Sequence, residues 1–502
     1  MSIPFSDRTY DPRVWVRVLF GFALATALGA LVASYPVAVL GAAGACLALY
    51  GIFRWCHERL EFWQVLVLFA LTPYLILNYG FDNLAVGAGG VQVPVGEALL
   101  FAALALLLGR QWWIVRSITA ESSVVCLAAL LLLSCAHLIV DVPRYGLYAV
   151  RDSSMFFEAV FLPLGVPWGM NPRATQVLLR WMFFVFVLNL LYSWTFSWGE
   201  QIRAWSPSSG VFHPVPLFGN YWQNAPFLLV GALFCIWLAP SLGRWPRWIL
   251  VGLAAAQLGG LAILQARSMY VGILLVLMIL LLLGESKKLA GFVSALAWGT
   301  GVLAVLLLAV SVLGIGFQGR MGPVQLSFIA DQAKTVLNVG DANARFSHEV
   351  DRSRWYGEVW DRVRSSPSNP IVGEGFGQAL ITFENEEGIP VRQPHNSSLT
   401  VLGRLGFVGL SMWVLFIILT ALRYIRALRR GHTLGEWSPL ILWLFLYFVL
   451  ALLFTSVQPA FEFSHGAIPF YFFLGLTIGV LRNLENNAGL PLFDAVAQPV
   501  RP

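Results

Sequence analysis

Charged residues are scarce in this sequence: Asp, Glu, Lys and Arg make up 12% of its 502 residues, whereas 58% are hydrophobic and the mean hydropathy is +0.73. Soluble globular domains carry about 25% charged residues. The scarcity of charge therefore excludes a soluble globular chain. Apolar runs of the ~17–25 residues needed to cross a bilayer recur along most of the sequence, and helices satisfy the backbone in lipid.

Cysteine patterns that would indicate a covalent or metal-bound framework are also missing. The five cysteines are Cys46, Cys56, Cys126, Cys135 and Cys235. All lie in predicted spans or in inward-facing turns, so neither a disulfide framework nor a metal-ligand spacing follows from them. We find no internal repeat and no low-complexity tract. The sequence predicts no metal and no cofactor.

Hydrophobic runs predict an all-α polytopic membrane protein with about fourteen spans. Eleven spans fall in an N-terminal region, 1–314, and three in a C-terminal region, 397–482. A long polar segment, 315–396, separates the two regions, and a polar tail covers 483–502. The predicted spans are 15–34, 36–53, 62–79, 93–109, 124–142, 154–170, 177–199, 225–242, 247–265, 269–284, 290–314, 397–421, 438–456 and 464–481. Span 154–170 contains Pro163, Gly165 and Pro167 and reads as a broken or shallow helix.

The net charge of +6 does not indicate a nucleic-acid partner, because the positive charge of the short loops sorts to one side of the membrane. With a cytoplasmic N-terminus, the inward turns include Arg54, Arg110, Lys287 and the cluster Arg423, Arg426, Arg429 and Arg430. The alternate turns near Ser34, over 80–90 and near Gln458 carry no Lys or Arg. The long polar segment then faces outward. This pattern predicts a multi-pass protein of the bacterial inner (cytoplasmic) membrane with a periplasmic loop.

The long polar segment carries eight of the 32 Lys and Arg residues. Residues 347–364 have mixed charges, with Val350, Trp355, Val359 and Val363 recurring at steps of four or five. This spacing predicts an amphipathic helix on or near the membrane surface. A Pro- and Ser-rich break and the glycine turn 373–377 follow. The turn lacks the preceding strand that a nucleotide-binding glycine motif requires.

Several arginines of the predicted outer side are candidates to bind an anion. Arg267 lies between two apolar runs, where a charge is costly unless it is paired or functional, although an arginine there can also extend to lipid headgroups. Arg345, Arg352 and Arg354 lie just before or within the loop helix. Guanidinium groups bind phosphate oxygens in a fork geometry, so such a cluster suits a phosphorylated lipid. Each of the three could instead pair with Glu or Asp on a solvated helix face.

His395 stands where the polar segment re-enters the predicted membrane, followed by Asn396. A neutral imidazole at this junction could take a proton from a hydroxyl that arrives from lipid or water. The alternative is that His395 is an N-cap partner of the next helix, with Asn396 or Ser397 as the cap.

Together these motifs resemble the O-antigen ligase and polymerase superfamily. The resemblance rests on Arg267-Ser268, a loop helix with Arg near Trp, and Pro370 followed by Gly373, Gly375 and Gly377. It continues with His395-Asn396-x-x-Leu399 and Leu405-Gly406-x-x-Gly409. These motifs cover about 150 residues in order. Tyr148 to Asp152, including Arg151, is a further point of similarity. The acidic residue that the family often has after His-Asn-x-x-Leu is replaced here by Gly403-Arg404.

The resemblance implies a GT-C-like, inverting, metal-independent glycosyltransferase. Such an enzyme joins a glycan from undecaprenyl diphosphate to an acceptor sugar hydroxyl, and its partners are that lipid-linked glycan, an acceptor glycolipid or second lipid-linked glycan, and membrane lipids. The catalytic residues it implies are His395 as general base with Arg267 and Arg354 holding the diphosphate. Arg352 and Arg345 are rivals of Arg354, and Asn396 and Arg151 are further substrate-binding candidates.

Three other functions remain open from the sequence. The same chemistry with a lipid-linked repeat as acceptor, instead of a lipid A core, would make the chain an O-antigen or exopolysaccharide polymerase. A transporter or flippase for lipid-linked glycans would be expected to show repeat symmetry and matched broken helices near mid-membrane. A cell-wall glycan polymerase would carry an acidic catalytic signature that the loop does not display.

Overall fold

The computed structural model describes residues 60–88, 91–210, 212–219, 221–242, 246–312, 318–320, 322–323, 348–384, 390–430 and 435–486. The predicted spans 15–34 and 36–53 lie outside these residues, and so does Arg345. Most of the described chain is helical.

The long helices are α1 Phe62–Ile76, α2 Val95–Arg110, α3 Ser122–Tyr145, α4 Leu162–Met170, α5 Pro172–Trp194, α6 Ala225–Trp237, α7 Arg247–Leu264, α8 Arg267–Leu282, α9 Ser286–Val312, α10 His348–Arg364, α11 Ser397–Arg429, α12 Ser438–Thr455 and α13 Ser464–Asn486. Short helical turns occur at Tyr79–Asp82, Trp113–Ile118, Leu147–Asp152, Ser154–Phe157, Glu158–Phe161, Thr195–Trp198, Gly199–Trp205, Trp222–Asn224, Ala239–Leu242, Asn369–Val372 and Gly435–Trp437.

Strands occur only as four small antiparallel hairpins within the described residues. They are β1 Ala85–Ala88 with β2 Val91–Pro94, β3 Ser208–Ser209 with β4 Val215–Pro216, β5 Gln318–Gly319 with β6 Gly322–Pro323, and β7 Phe383–Glu384 with β8 Pro390–Val391. The longest pair aligns Ala85 with Pro94 and Ala88 with Val91. Each hairpin shapes a loop between helices.

Six helical segments of the described chain are long and apolar enough to cross a membrane: Ser122–Tyr145, Pro172–Trp205, Arg247–Leu264, Ser397–Arg429, Ser438–Thr455 and Ser464–Glu485. Large apolar side chains on several of them are exposed, such as Leu132 and Ile139 on α3. Side chains of this kind suit lipid contact. The chain is an all-α, multi-pass membrane protein.

The prediction of about fourteen spans is not matched. Among the described residues, four predicted spans correspond to shorter apolar helical segments: Phe62–Ile76, Ser154–Met170, Ala225–Trp237 and Arg267–Leu282. Hydropathy counts apolar side chains whether or not one helix continues through them. In Ser154–Met170 the backbone changes from α-helix to a 3₁₀ turn at Glu158–Phe161 and back at Leu162, which matches the broken helix expected there.

Helix α4 packs very closely against α13 through glycines on both helices. A Cβ atom on Gly165 would lie 2.1 Å from the Phe472 carbonyl oxygen, and one on Gly479 would lie 2.1 Å from the Val166 carbonyl oxygen. Such contact between backbones needs residues without side chains, as in small-xxx-small packing of membrane helices. The broken segment therefore lies inside the bundle, with Trp168 fully buried.

Helix α10 matches the predicted loop helix, and its apolar side packs against protein. Trp355, Val359 and Val363 are buried with Leu380 and Leu402 in a small core of their own. The partner helix α11 is kinked at Gly406, which has φ +62°. A Cβ there would lie 2.4 Å from the Ile371 carbonyl oxygen. The kink at Gly406 thus allows the backbone at Ile371 and Gly373 to pack directly against α11.

Candidate functional site

His395 directly precedes α11 and is one of only three non-glycine residues with positive φ in the described chain. Its φ is +54°, a conformation that costs about 1–3 kcal/mol and persists where the surrounding structure enforces it. The next residue, Asn396, is the N-cap of α11 and accepts a hydrogen bond from the Leu399 backbone N–H at 3.1 Å. Asn396 therefore caps the helix, and His395 is not needed for that role.

The imidazole of His395 stacks on the indole of Trp355, with ring centroids 5.1 Å apart and an interplanar angle of 30°. Its Nδ1 lies 3.3 Å from the Gln393 carbonyl oxygen. Because a carbonyl can only accept, this contact requires the proton on Nδ1 and leaves Nε2 as an acceptor. That tautomer is the one a general base needs at Nε2.

Burial and the positive charge of Arg352 lower the pKa of His395 to about 4, against the opposing effect of the Gln393 hydrogen bond. The imidazole is therefore neutral at pH 7. Arg352 lies on the first turns of α10, and its Nη2 donates to the Val457 carbonyl oxygen at 3.4 Å, just after α12. Three separate parts of the chain thus meet at His395.

Two further arginines extend this group. The backbone N–H of Arg320, at the end of β5, donates to the Ile263 carbonyl oxygen at 3.3 Å, which fixes the β5–β6 hairpin on the C-terminal end of α7. Arg267 begins α8, two residues after Gln265, which is itself held at φ +50°. We refer to Arg267, Arg320, Arg352 and His395 as the arginine–histidine cluster.

Like charges act on one another within the arginine–histidine cluster. Desolvation and the charges of Arg267 and Arg352 lower the pKa of Arg320. The cluster therefore brings the positive charges of three arginines into one region, with the neutral imidazole of His395 beside Arg352.

The other sequence-predicted site residues lie outside this cluster or outside the described residues. Arg354 forms an ion pair with Glu358 at 3.0 Å and leaves 70% of its side chain exposed. Its position two residues after Arg352 turns it to another side of α10. Arg151 lies with its guanidinium 4.9 Å from the ring centroid of Phe212. Arg345 is not among the described residues.

Four backbone N–H groups of the glycine turn 373–377 donate hydrogen bonds within the protein. The N–H groups of Phe376 and Gly377 donate to Asp141 and Asp152 at 2.7 and 3.1 Å. Those of Glu374 and Gly375 donate to the carbonyl oxygens of Gly403 and Arg404 at 2.9 and 3.1 Å. Two carboxylates and two carbonyls thus occupy the positions that a phosphate would need, so the turn is a structural connection.

Asp152 is the centre of the connection between this turn and α11. Its fully buried carboxylate forms ion pairs of 2.8 Å with both Arg392 and Arg404. Burial acts to raise the pKa of Asp152, but the charge of Arg404 and the hydrogen bond and charge of Arg392 more than offset it, and the pKa is lowered. Arg404 also donates to the carbonyl oxygens of Gly375 and Gln378 at 3.1 and 2.7 Å. The side chain of Arg404 therefore connects α11 to the glycine turn and to the residue that follows it.

Sequence reasoning missed Arg320 and Glu462. Glu462 lies in the turn between α12 and α13 and accepts a hydrogen bond from the Ser397 hydroxyl at 3.0 Å. Burial raises the pKa of Glu462 to about 7, despite hydrogen bonds from Thr400 and Ser397. An isolated carboxylate in an otherwise apolar turn was the available signal for Glu462. For Arg320 the sequence offered none, because only the folded hairpin brings it to Arg267.

The acidic residues Glu97 and Glu158 form a different buried group. One carboxylate oxygen of each lies 2.5 Å from the Ser464 hydroxyl. A hydroxyl carries one hydrogen and can donate to only one of the two carboxyl groups at a time. Neither residue pairs with an arginine of the described chain.

No protein-family model matches the chain, and no curated protein matches its sequence. The described ranges contain no group of three or more His, Cys, Asp or Glu side chains that could hold a metal ion. The expectation of a site without metal or cofactor stays a prediction.

Proposed function

We propose that this chain is an inverting membrane glycosyltransferase similar to O-antigen ligases, with a GT-C-like arrangement. It would transfer a glycan from undecaprenyl diphosphate to an acceptor sugar hydroxyl. The observation that carries the proposal is the arginine–histidine cluster, in which the neutral imidazole of His395 lies beside Arg352, and Arg352 and Arg267 both act on Arg320. That combination suits a reaction with a diphosphate leaving group and a hydroxyl nucleophile.

The arginines act on the leaving group. As the bond between the anomeric carbon and the diphosphate oxygen breaks, its electron pair adds negative charge to the diphosphate. Arg267, Arg320 and Arg352 stabilise that charge, because guanidinium groups present paired N–H donors to phosphate oxygens and keep their own charge. Their positive charge also attracts the anionic donor.

His395 acts on the nucleophile. Its Nε2 accepts the proton of the acceptor hydroxyl while the hydroxyl oxygen bonds to the anomeric carbon, on the face opposite the leaving group. A pKa of about 4 makes His395 a weak base in the protein alone. The negative charge of a bound diphosphate raises that pKa. Donor binding thus prepares the base, and the site gains basicity only when it is loaded.

The proposed location is the periplasmic face of the bacterial inner membrane. His395 precedes the N-terminal end of α11, and Arg423, Arg426, Arg429 and Arg430 lie at its C-terminal end. The part of α11 after the kink at Gly406 runs to Arg429 and is about 35 Å long, enough to cross a bilayer. If these four arginines are cytoplasmic, as the positive-inside rule favours, then the cluster is periplasmic.

The test is a transfer assay with the purified full-length protein, a lipid-linked glycan and a metal chelator. We expect the wild type to transfer sugar without metal and His395→Ala to lose at least about a hundredfold in rate, the size of a general-base contribution. Arg267→Lys should also be impaired, because an ammonium group lacks the forked geometry.

A matched control is His213→Ala, since His213 also lies in a loop and contacts the Tyr79 hydroxyl at 3.3 Å. It should leave the rate unchanged. Full activity of His395→Ala would contradict the mechanism. Running the assay with core oligosaccharide and with lipid-linked repeat as alternative acceptors distinguishes a ligase from a polymerase.

A further inference from the structure

A cavity of about 400 Å³ lies at the end of α11 away from His395. The first residues of α3 and the last turns of α11 and α13 enclose it. Its polar wall includes Arg423, Arg426 and Arg430, and its apolar wall includes Leu419, Leu481 and Leu484. Binding sites for small ligands commonly have volumes of about 300–1,000 Å³. The cavity is therefore large enough for a phosphorylated headgroup.

The charges around the cavity do not balance. The carboxylate of Glu121 lies between two guanidinium groups: it forms an ion pair with Arg423 and accepts hydrogen bonds of 3.1 Å from Nε and Nη2 of Arg482. Arg426 is exposed and forms no ion pair with a described residue. The cavity is lined by three arginines and by the two carboxylates of Glu121 and Glu485, so its lining carries an excess of positive charge.

Along α11 the polar wall is followed by the apolar wall, in the same order as the headgroup and acyl chains of a phospholipid. Arg423, Arg426 and Arg430 recur at steps of three and four, so they share one face of α11. Leu419 lies on that face one turn deeper, and the neighbouring side chains Ile418 and Leu422 are exposed on the apolar surface of the helix. The positive charge therefore lies at the helix end, and the apolar wall continues toward the middle of the span.

We propose that this cavity binds the headgroup phosphate of an anionic phospholipid, with the acyl chains extending along the apolar wall. The arginines donate paired N–H groups to the phosphate oxygens. Basic pockets between membrane-spanning helices recognise acidic lipid headgroups through this chemistry. Attraction of cations to the C-terminal end of a helix explains why arginines are favoured here, but it does not explain a cavity between three helices. The site is separate from the arginine–histidine cluster.

The test measures lipid binding to the detergent-purified full-length protein by native mass spectrometry, with phosphatidylglycerol, phosphatidylcholine and inorganic phosphate as probes. We expect phosphatidylglycerol to bind preferentially. The double variant Arg426→Gln with Arg430→Gln should weaken its binding at least about fivefold, the effect of about one arginine near a charged lipid surface. Arg429→Gln is the matched control, because Arg429 is exposed on the same helix but does not line the cavity.

A second variant changes affinity in the opposite direction. Glu121→Gln removes the carboxylate between Arg423 and Arg482, so it should strengthen phosphatidylglycerol binding. Equal binding of phosphatidylglycerol and phosphatidylcholine, an equal loss in Arg429→Gln, or weaker binding in Glu121→Gln would overturn the proposal. So would competition by inorganic phosphate at concentrations equal to those of the lipid, because that result indicates a site for free phosphate.

Discussion

The backbone and ring of His395 are both fixed by neighbouring residues. Its positive φ places the imidazole against Trp355, and the Gln393 carbonyl selects the Nδ1–H tautomer. Burial and Arg352 then keep the ring neutral. A side chain held in this way loses little entropy when it meets a substrate hydroxyl. The same environment makes its basicity depend on the charge of what is bound nearby.

This dependence predicts an unusual pH profile. Protonation of His395 removes the base, so kcat/KM should stay level down to about pH 5 and fall only below it, because kcat/KM reports the free enzyme, with a pKa of about 4. The profile of kcat reports the loaded enzyme, in which the diphosphate raises the pKa of His395. As pH is lowered, kcat should therefore begin to fall at a higher pH than kcat/KM does. Steady-state kinetics with a stability control at each pH checks both limbs. A kcat/KM profile that falls near pH 6.5, the value of an ordinary histidine, would contradict this description.

His395 and the loop arginines are candidates from the sequence alone, because they lie in recognisable patterns: a histidine before a span and arginines near a tryptophan, with Arg354 preferred to Arg352. The choice among the loop arginines could not be made. Arg352 and Arg354 are two residues apart, and only the packing of Trp355, Val359 and Val363 fixes which side of α10 faces His395. The role of either arginine in catalysis stays a prediction.

The glycine turn and α11 form one connected element through Asp152. The sequence predicts a turn here, but it does not show what fills it. The carboxylates of Asp141 and Asp152 come from a stretch more than 200 residues earlier and accept hydrogen bonds from the turn's N–H groups. Contacts between such distant parts of the chain leave no local pattern. They determine whether the loop that carries His395 is correctly placed.

Asp152→Asn should therefore destabilise the protein by about 3–5 kcal/mol, because it leaves the guanidinium groups of Arg392 and Arg404 without their carboxylate. The lowered pKa of Asp152 gives the sign of the pH effect: the contribution is present above the unfolded-state pKa of about 3.9 and is lost as pH falls through the lower folded-state pKa. The difference in thermal unfolding between the wild type and Asp152→Asn should thus shrink in acid.

Asp361→Asn provides the control for Asp152→Asn. Asp361 is an exposed residue of α10, and its substitution should change stability by less than about 0.5 kcal/mol. Equal stability of Asp152→Asn and Asp361→Asn at neutral pH would show that the buried ion pairs do not hold the loop.

The arrangement of the spans was only partly predictable. The long helices α3, α5, α11, α12 and α13 agree with runs of apolar residues, whose periodicity needs no partner to be recognised. The broken segment ending in α4 depends on α13, because glycines of both helices allow their backbones to touch. Hydropathy cannot distinguish such an internal helix from a span, and the predicted number of spans was therefore too high for the described residues.

The proposed orientation predicts which end of the protein is accessible from outside the cell. In a background lacking the five natural cysteines, Thr382→Cys lies in an exposed position near the arginine–histidine cluster, and Arg429→Cys lies in an exposed position at the opposite end of α11. A membrane-impermeant maleimide should label position 382 in intact spheroplasts and label position 429 only after permeabilisation. The reverse pattern would place the cluster in the cytoplasm.

The central claim is that the arginine–histidine cluster binds a diphosphate, and a direct binding measurement tests it. We would titrate the purified protein with a polyprenyl diphosphate and compare Arg352→Gln with Arg354→Gln, which remove the same charge from neighbouring positions of one helix. A charge-assisted hydrogen bond contributes about 1.5–3 kcal/mol, so Arg352→Gln should weaken binding by about tenfold or more. Arg354→Gln should bind as the wild type does. Equal losses in both variants, or no loss in Arg352→Gln, would contradict the account.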